Sequence, residues 1–332
     1  MHYKIFIGID VSKATIDVFI HKANQHKQFP NLKRGYEACL NWVQKICPET
    51  DLKDVHITFE HTGLYSLSLA LYLEQADIAF TMISGLQIKR SLGLARGKND
   101  RIDAQRIAEY GYLYREVLPL TKFPSRQIMQ LQPLLALRDR LVRQRAGLVA
   151  TQGEQARYLY QSTALDMSDI YEQVISTLKE QIRRVDETMK VIIDNCPDLK
   201  LTFDLITSIK GIGKTVAVYL IVYTHNFTRF STWRKFACYA GVAPFENQSG
   251  KTYLGKTKVS SLANKQLKKM LHLAALSAAA HDTELNAYFI KRTQGGKNQM
   301  AVLNIIRNKL LSRAFAVAGR KTPYVNIARY AA

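Results

Sequence analysis

The sequence predicts an α/β protein, because strand and helix patterns alternate along its first third and helical patterns dominate the remainder. Short apolar runs rich in β-branched residues indicate buried strands, and longer stretches with apolar residues three or four positions apart indicate helices. Their alternation is typical of a sheet covered by helices. We expect an α/β domain over residues 1–125, a helical or coiled-coil linker over 126–197, and a basic, mainly α domain over 198–332.

The first two predicted strands are Ile5–Asp10 and Thr15–Ile20. They are close enough in sequence for a hairpin. A helix is predicted over Tyr36–Ile46, and a third strand over His56–Glu60. Both the first and the third strand therefore end in a carboxylate.

The alternation continues with a helix over Tyr65–Gln75 and a buried strand over Ile78–Ile83. After a break at residues 97–99, Asp100 and Asp103 open a helix that runs to Tyr112. Residues three apart in a helix share one face. We therefore expect both side chains to point the same way.

Four carboxylates, those of Asp10, Glu60, Asp100 and Asp103, are candidates for one site. Two project from strand ends and two from one turn of a packed helix, and they would repel one another strongly without a cation. Hard oxygen ligands suit Mg²⁺, which keeps several waters and is completed by substrate phosphates. Two such ions about 4 Å apart stabilise the attacking and leaving oxygens of an in-line displacement. This pattern favours phosphodiester chemistry, with Mg²⁺ or Mn²⁺ as the ion.

The alternative is that each acid is ordinary. A strand-end aspartate in a turn, a surface glutamate and two acids favoured by the helix dipole need no common site. Four together, with Gly8 and Gly63 beside the strand ends, favour the metal site. Asp17 serves as a comparison, because its mid-strand position predicts a solvent-facing side chain.

Charge favours a nucleic-acid substrate. The chain has 332 residues, with 47 Lys or Arg against 27 Asp or Glu, a net charge of +20 and a pI near 9.8. Such a balance is typical of polyanion binding. From Leu201 onwards there are 20 basic and 4 acidic residues, so most of the excess is C-terminal.

No acid interrupts the basic residues between Glu246 and Asp282, and binding through such a run should weaken steeply with salt. The alternative is a solvated basic surface. The run contains Lys251, Lys256, Lys258, Lys265, Lys268 and Lys269.

The remaining composition points to a cytoplasmic protein. The four cysteines form no Cys-x-x-Cys pair, which argues against a zinc site and against a disulfide framework. The N-terminus has no signal-peptide pattern, and no apolar run is long enough to span a membrane. The alanine-rich stretch Leu273–Ala280 is predicted to be a tightly packed helix. We expect a cytoplasmic protein with no membrane partner.

Two long helices are predicted in the middle section, where apolar residues keep a heptad-like spacing. They form either a helical hairpin packed within the chain or a dimerising coiled coil. Pro133 is expected near the start of the first helix, and Cys196–Pro197 ends the second. The spaced residues are Leu134, Leu137, Leu141 and Leu148, then Leu178, Ile182, Val185, Met189 and Ile192.

A helix-hairpin-helix signature follows at residues 208–215, which read SIKGIGKT. Its Gly211 and Gly213 turn would expose backbone N–H groups at a helix N-terminus, where a phosphate binds without base readout. Lys210 and Lys214 flank that turn. A P-loop is excluded because its first glycine is missing. A plain turn between two helices is the alternative.

Several elements together resemble the insertion-sequence-one-ten transposase family, over nearly the whole chain. They are the strand-end Asp10, Glu60-x-Thr62-Gly63, Asp100-x-x-Asp103-Ala104, the Gly211-Ile212-Gly213 turn, and Gly241-x-x-Pro244 leading to Ser249-Gly250.

The resemblance implies a RuvC-like, ribonuclease-H-fold domain with an Asp-Glu-Asp-Asp metal site, a coiled-coil linker and a C-terminal transposase domain with a serine nucleophile. It also implies recombination of donor and target DNA guided by a structured non-coding bridge RNA. Ser249 would attack the scissile phosphate and form a transient phosphoserine link. The family also implies a dimer that assembles into a tetramer on DNA.

The sequence around the serine departs from what the family leads us to expect, with Lys251-Thr252-Tyr253 after Gly250. Thr252, Ser260 and Ser261 therefore stay open as alternative nucleophiles. Two other functions also stay open. A Holliday-junction resolvase would use the same carboxylates to activate water, and a non-enzymatic nucleic-acid-binding protein would need none of them.

Overall fold

The structure is a computed structural model that describes residues 3–91, 99–158, 167–249 and 253–325. Within β6 and β7 below, the side chains of residues 247–249, 253, 254, 256 and 258 are also outside the description. The chain separates into two compact units, Met1–Phe123 and Pro124–Ala332. Each is described on its own.

The first unit is an α/β domain with a mixed five-stranded sheet of strand order β3-β2-β1-β4-β5. The first three strands pair antiparallel, whereas β1, β4 and β5 are parallel. This arrangement is consistent with a ribonuclease-H-like domain. The strands are β1 (Ile5–Val11), β2 (Thr15–Ile20), β3 (Gln25–Pro30), β4 (Val55–Glu60) and β5 (Ala79–Ile83).

Helices cover both faces of this sheet. The helices are α1 (Lys33–Ile46), α2 (Leu64–Gln75), α3 (Gly85–Ser91) and α4 (Asp100–Leu113), and a 3₁₀ turn spans Leu52–Asp54. On one face, alternate strand residues such as Ile7, Val18 and Ile57 join the buried side chains of α1 and α2 in the main core. On the other face, α4 packs against β1, β2 and β4. The period-two alternation of strands thus divides each central strand between an apolar core and the α4 face.

The second unit is mainly helical and contains one β-hairpin. Its elements are α5 (Arg126–Tyr158), α6 (Ser168–Asp194), α7 (Pro197–Thr207), α8 (Lys214–Thr224), α9 (Trp233–Tyr239), β6 (Pro244–Ser249), β7 (Tyr253–Val259), α10 (Lys265–His281), α11 (Thr283–Gln294) and α12 (Gln299–Arg320). Helix α8 is buried almost all round. In the alanine-rich stretch of α10, four alanines are buried, whereas Leu273 and Leu276 are exposed. Among the described residues, no helix is long and apolar enough to cross a membrane.

The two long helices α5 and α6 pack against each other. Leu131, Leu135, Val185 and Met189 are buried in the same core as α8, so this part of the helical pair packs within its own chain. Pro133 lies seven residues after the start of α5 at Arg126, inside the helix.

Candidate active site

Asp10 and Glu60 lie at the ends of neighbouring parallel strands. Ile9 of β1 pairs with Phe59 of β4, so the two carboxylates come one residue later in each strand. Ile9 and Phe59 point into the main core. By alternation, the side chains of Asp10 and Glu60 point to the opposite face, which α4 covers.

Asp100 and Asp103 reach that face through close helix packing. Asn99 caps α4, and its side chain accepts a hydrogen bond from the N–H of Arg101 at 3.0 Å. A Cβ at Gly8 would lie 2.2 Å from the carbonyl oxygen of Ala104, so only glycine lets the helix approach β1 here. Asp103 directly precedes this contact and Asp100 lies one helical turn before Ala104. The first turn of α4 is thereby held beside the end of β1.

Glu60 has its own close contact. A Cβ at Gly85, the first residue of α3, would lie 2.1 Å from Oε1 of Glu60. The missing side chain at Gly85 makes the space that the glutamate carboxylate fills. The sequence did not predict α3, whose seven residues have one buried member, Ile88.

The electrostatics of Asp10 reflect the other acids around it. Burial, followed by the charges of Asp103, Asp100, Asp17 and Glu60, raises the pKa of Asp10 to about 6 from its ordinary 3.8. Like charges disfavour the ionised form of a carboxyl group, and so does partial burial. None of the four predicted site acids forms an ion pair with a described residue.

Asp17 corrects an expectation. It is only 5% exposed and does not face solvent. Asp17 pairs directly with Asp10 across the β1–β2 hairpin, on the α4 face. Its carboxylate lies 2.9 Å from Nε2 of His26 and accepts a hydrogen bond from Nε2 of Gln28 at 2.9 Å. The expectation failed because it did not use the hairpin register. The apolar Ile16 and Val18 already required Asp17 to point away from the main core.

The donor set fits a divalent cation. It consists of carboxylate oxygens, which hard cations such as Mg²⁺ prefer, and each of the four residues is half-buried or exposed, so an ion there can keep its waters. The mutual repulsion that raises the pKa of Asp10 would be relieved by such an ion. As placed, no three acidic, histidine or cysteine side chains of the described ranges converge closely enough to coordinate one.

The predicted phosphate-binding turn joins α7 to α8. Gly211 has a φ of +95°, and a Cβ there would lie 2.6 Å from Cβ of Ala278 in α10. Glycine is therefore required by both conformation and packing. Gly213 precedes α8 with no side-chain cap, and Lys214 is the first helical residue. Gly213 and Lys214 are both exposed, as is Lys210.

The predicted nucleophile Ser249 ends strand β6, where it pairs with Tyr253 of β7. Its backbone is described, but its side chain is not. Lys251 and Thr252 lie outside the described residues. Lys256 and Lys258 are part of β7, and their side chains are likewise outside the description.

Ser260, one of the alternative nucleophiles, sits in the turn after β7, where its hydroxyl accepts a hydrogen bond from the N–H of Leu262 at 3.2 Å. Ser261 follows it in the same turn and is exposed.

The segment just before the β6–β7 hairpin is hydrogen-bonded to α12. The carbonyl of Val242 accepts hydrogen bonds from Nδ2 of Asn304 at 2.9 Å and from Nδ2 of Asn308 at 3.0 Å. The preceding Gly241 has a φ of +68°, and a Cβ there would lie 2.1 Å from Cβ of Ala263. No sequence pattern indicates these asparagines, because they lie about sixty residues from the serine and form an ordinary part of a helix.

Two family models match the chain. One, described as a transposase of the DEDD type found in IS110 elements, matches residues 7–152. The other, described as "Transposase IS116/IS110/IS902 family", matches residues 203–289. The first spans the four carboxylates, and the second spans the Gly211 turn and Ser249.

Curated relatives agree. Pilin gene-inverting proteins of Moraxella lacunata and Moraxella bovis are each 28% identical over 327 residues, which covers 97% of this chain and 98% of theirs. An insertion element IS110 uncharacterized protein of Streptomyces coelicolor is 26% identical over 150 residues, which covers 45% of this chain and 36% of that protein. The chain belongs to the IS110 family of transposases, whose members cleave and rejoin DNA.

Proposed function

We propose that this transposase cuts and rejoins DNA through a covalent phosphoserine intermediate, with Ser249 as the nucleophile and Asp10, Glu60, Asp100 and Asp103 as the metal-binding carboxylates. The observation that carries the proposal is the placement of these acids on one sheet face, where they raise the pKa of Asp10 and form no ion pair with a described residue. If these acids had only a structural role, we would expect cationic side chains beside them to compensate their charge. A divalent ion and a substrate phosphate supply that compensation instead.

The serine step conserves the ester bond. The Oγ of Ser249 bonds to phosphorus while the P–O bond to the leaving sugar oxygen breaks, and the serine proton ends on that oxygen directly or through water. One phosphodiester linkage replaces another, so a hydroxyl of the exchanged strand can reverse the step. A serine hydroxyl is a weak nucleophile unless its deprotonation is assisted. A bound Mg²⁺ or Mn²⁺ would supply that assistance and neutralise charge on the phosphate.

The nucleic acids that this protein binds are inferred from its positive charge and from its family. Donor and target DNA are the substrates, and a structured non-coding bridge RNA selects them by base pairing. Backbone phosphate is bound at the start of α8 by Lys210, Gly211, Gly213 and Lys214. On the hairpin, Lys251, Lys256 and Lys258 contact the same polyanion.

Domain roles and assembly are part of the proposal. The α/β domain of 1–125 carries the carboxylates, the helical segment 126–197 spaces the two chemical parts, and 198–332 carries the serine. The protein forms a dimer that pairs into a tetramer on DNA. Light scattering of the nucleoprotein complex tests this, and full activity from a monomeric complex would rule it out.

The rival function is hydrolysis at the same carboxylates, as in a junction resolvase. The relatives named for pilin gene inversion favour strand exchange over simple cutting, since inversion must rejoin DNA. A denaturing gel of full-length protein with the element's DNA ends, its RNA and Mg²⁺ separates the two functions. We expect a slow-migrating protein–DNA adduct that is absent in Ser249→Ala and in Asp10→Asn. Cleaved DNA without adduct, unchanged in Ser249→Ala, would establish the hydrolase.

A further inference from the structure

Arg307 is a buried cation with neutral partners. It lies on α12 and is only 5% exposed. Its Nη2 is 2.7 Å from Nδ1 of His272 on α10, and its Nη1 donates to Oδ1 of Asn304 at 3.3 Å. Its buried Nε has no hydrogen-bond partner among the described residues. Burial lowers the pKa of this guanidinium.

The same helix shows how a buried arginine is ordinarily compensated. Two turns further along α12, Arg313 donates to the buried carboxylate of Asp282 at 3.0 Å and also pairs with Glu284. Arg307 forms no ion pair with any carboxylate of the described ranges. A buried charge without an opposite charge is costly. An anion brought by a ligand is the compensation that this environment lacks.

The contact with Arg307 fixes the tautomer of His272. A guanidinium can only donate hydrogen bonds, so Nδ1 of His272 must accept. Burial and the charge of Arg307 lower the pKa of His272, which favours the neutral ring. The ring proton is therefore on Nε2, which makes no hydrogen bond to the described part of the chain. His272 is half-buried, so this N–H is available at the surface as a donor polarised by the cation behind it.

The position is suited to nucleic acid. Lys265, Lys268 and Lys269 precede His272 on α10 at spacings that place them on one stripe of the helix. Lys265 and Lys269 are exposed, and Lys268 is half-buried. The side chain of Asn304 accepts a hydrogen bond from Arg307 and also donates one to the carbonyl of Val242, just before the β6–β7 hairpin that contains Ser249. The stripe thus runs from the start of α10 at Lys265 to the contact of His272 with the buried guanidinium.

We propose that His272, backed by Arg307, binds a backbone phosphate of nucleic acid and ends a phosphate-binding stripe that begins at Lys265. Nε2 of His272 donates to a phosphate oxygen, and the guanidinium supplies the positive charge from beneath. The inference rests on the proposed function, in which this unit holds DNA or RNA.

The test uses full-length protein with Ser249→Ala, so that no DNA is cut. Fluorescence anisotropy measures affinity for a labelled duplex DNA and, separately, for a labelled structured RNA of equal length, over a series of salt concentrations. His272→Asn is the informative variant, because an Asn side-chain oxygen can replace Nδ1 as the acceptor from Arg307 while the Nε2–H is lost. His281→Asn, at the exposed end of the same helix, is the matched control.

We expect His272→Asn to weaken binding about tenfold, the usual effect of losing a hydrogen bond to a charged group. The salt dependence should stay unchanged, because a neutral donor displaces no counterion. Arg307→Met should weaken binding and also lower the salt slope by about one, because it removes a charge. If Arg307→Met proves unstable on heating, His272→Asn decides alone.

Loss of affinity for DNA only, or for RNA only, supports the inference and identifies the ligand. Equal affinity of His272→Asn and the Ser249→Ala parent on both nucleic acids would overturn the inference and leave the serine chemistry standing. If the parent itself shows no salt-dependent binding to either nucleic acid, the proposed function fails and the inference fails with it.

Discussion

Asp10 and Asp17 are directly paired residues of adjacent antiparallel strands, and both side chains lie on the sheet face that α4 covers. Asp17 is fixed by His26 and Gln28, whereas Asp10 has no described ion-pair partner. The two residues therefore have different roles. Asp17 is held in place by hydrogen bonds within the fold, and Asp10 is the carboxylate available to a ligand.

The stability of the α/β unit should depend on the ionisation of Asp10. Its folded pKa of about 6 lies above the ordinary 3.8, so the ionised form destabilises the fold. Stability should therefore fall as pH rises from about 4 to about 6 and then level off. In metal-free buffer at pH 7.5, Asp10→Asn should gain about 1 kcal/mol after discounting for solvent screening. Thermal unfolding of both proteins at pH 4 and pH 7.5 measures the difference.

Asp77→Asn is the control, because Asp77 is an exposed acid of the same unit. It should not change the difference between the two pH values. A parent and an Asp10→Asn variant whose melting temperatures differ equally at both pH values would contradict the raised pKa.

Asp17 should strengthen metal binding without being a ligand. Asp17→Asn keeps the shape of the side chain and one acceptor oxygen but removes its charge. Because groups behind the ligands commonly change metal affinity by about tenfold or more, we expect Mg²⁺ or Mn²⁺ affinity to fall by about that factor. Calorimetric titration with each ion measures it, and Asp77→Asn should bind as the parent does. Unchanged affinity in Asp17→Asn would show that its burial serves the sheet alone.

Gly85 should be required for the position of Glu60. In Gly85→Ala the new methyl group would lie 2.1 Å from Oε1 of Glu60, so the carboxylate must move. We expect DNA cleavage to fall by about a hundredfold, the scale of effect that a 1 Å misplacement near a reacting centre can have. Metal affinity should fall as well, while the protein stays folded by circular dichroism.

The matched substitution is Gly147→Ala in α5, where a Cβ meets nothing within 4 Å. It should leave cleavage unchanged and stabilise the helix by about 0.5–1 kcal/mol. Full activity in Gly85→Ala would mean that Glu60 is not held for catalysis.

The two glycines of the α7–α8 turn should respond differently. Gly211→Ala places a side chain at a φ of +95° and against α10, so it should destabilise the second unit by about 2 kcal/mol or more. Gly213→Ala meets no atom within 4 Å and keeps its N–H, so stability and DNA affinity should both be retained. Denaturant unfolding and DNA titration measure the two effects, and equal destabilisation by both variants would contradict the described turn.

The lysines beside that turn should contribute charge rather than structure. Lys210→Gln and Lys214→Gln should each lower the slope of log affinity against log salt by about one. Lys190→Gln, an exposed lysine on α6 that pairs with Asp194, is the control and should leave the slope unchanged. Slopes unaffected by all three substitutions would remove this turn from the nucleic-acid surface.

Buried and strongly periodic elements could be predicted from the sequence, because burial leaves a clear pattern. The strands β1, β2, β4 and β5 have this character, and the predicted bounds match to within a residue. Edge strand β3 was missed because Phe29 is its one buried residue and the four residues before it are polar. The short α3 was missed for a similar reason.

Side-chain placement was predictable only where local spacing determines it. The spacing of Asp100 and Asp103 in one helical turn needs no tertiary information, whereas the position of Asp17 depends on hairpin register. The contact between His272 and Arg307 joins residues thirty-five positions apart on two helices. No local pattern indicates such a pair, and it becomes visible only when α10 and α12 are packed together.

The most direct test of the proposed chemistry is to identify the residue that carries the covalent link. Full-length protein is incubated with RNA, Mg²⁺ and a nicked DNA end that traps the intermediate, then digested with nuclease and protease and analysed by peptide mass spectrometry. We expect a nucleotide-modified peptide with the phosphate on Ser249, and no such peptide from Asp10→Asn. Modification of Thr252, Ser260 or Ser261 instead, or DNA cleaved with no modified peptide, would contradict the assignment of Ser249 as the nucleophile.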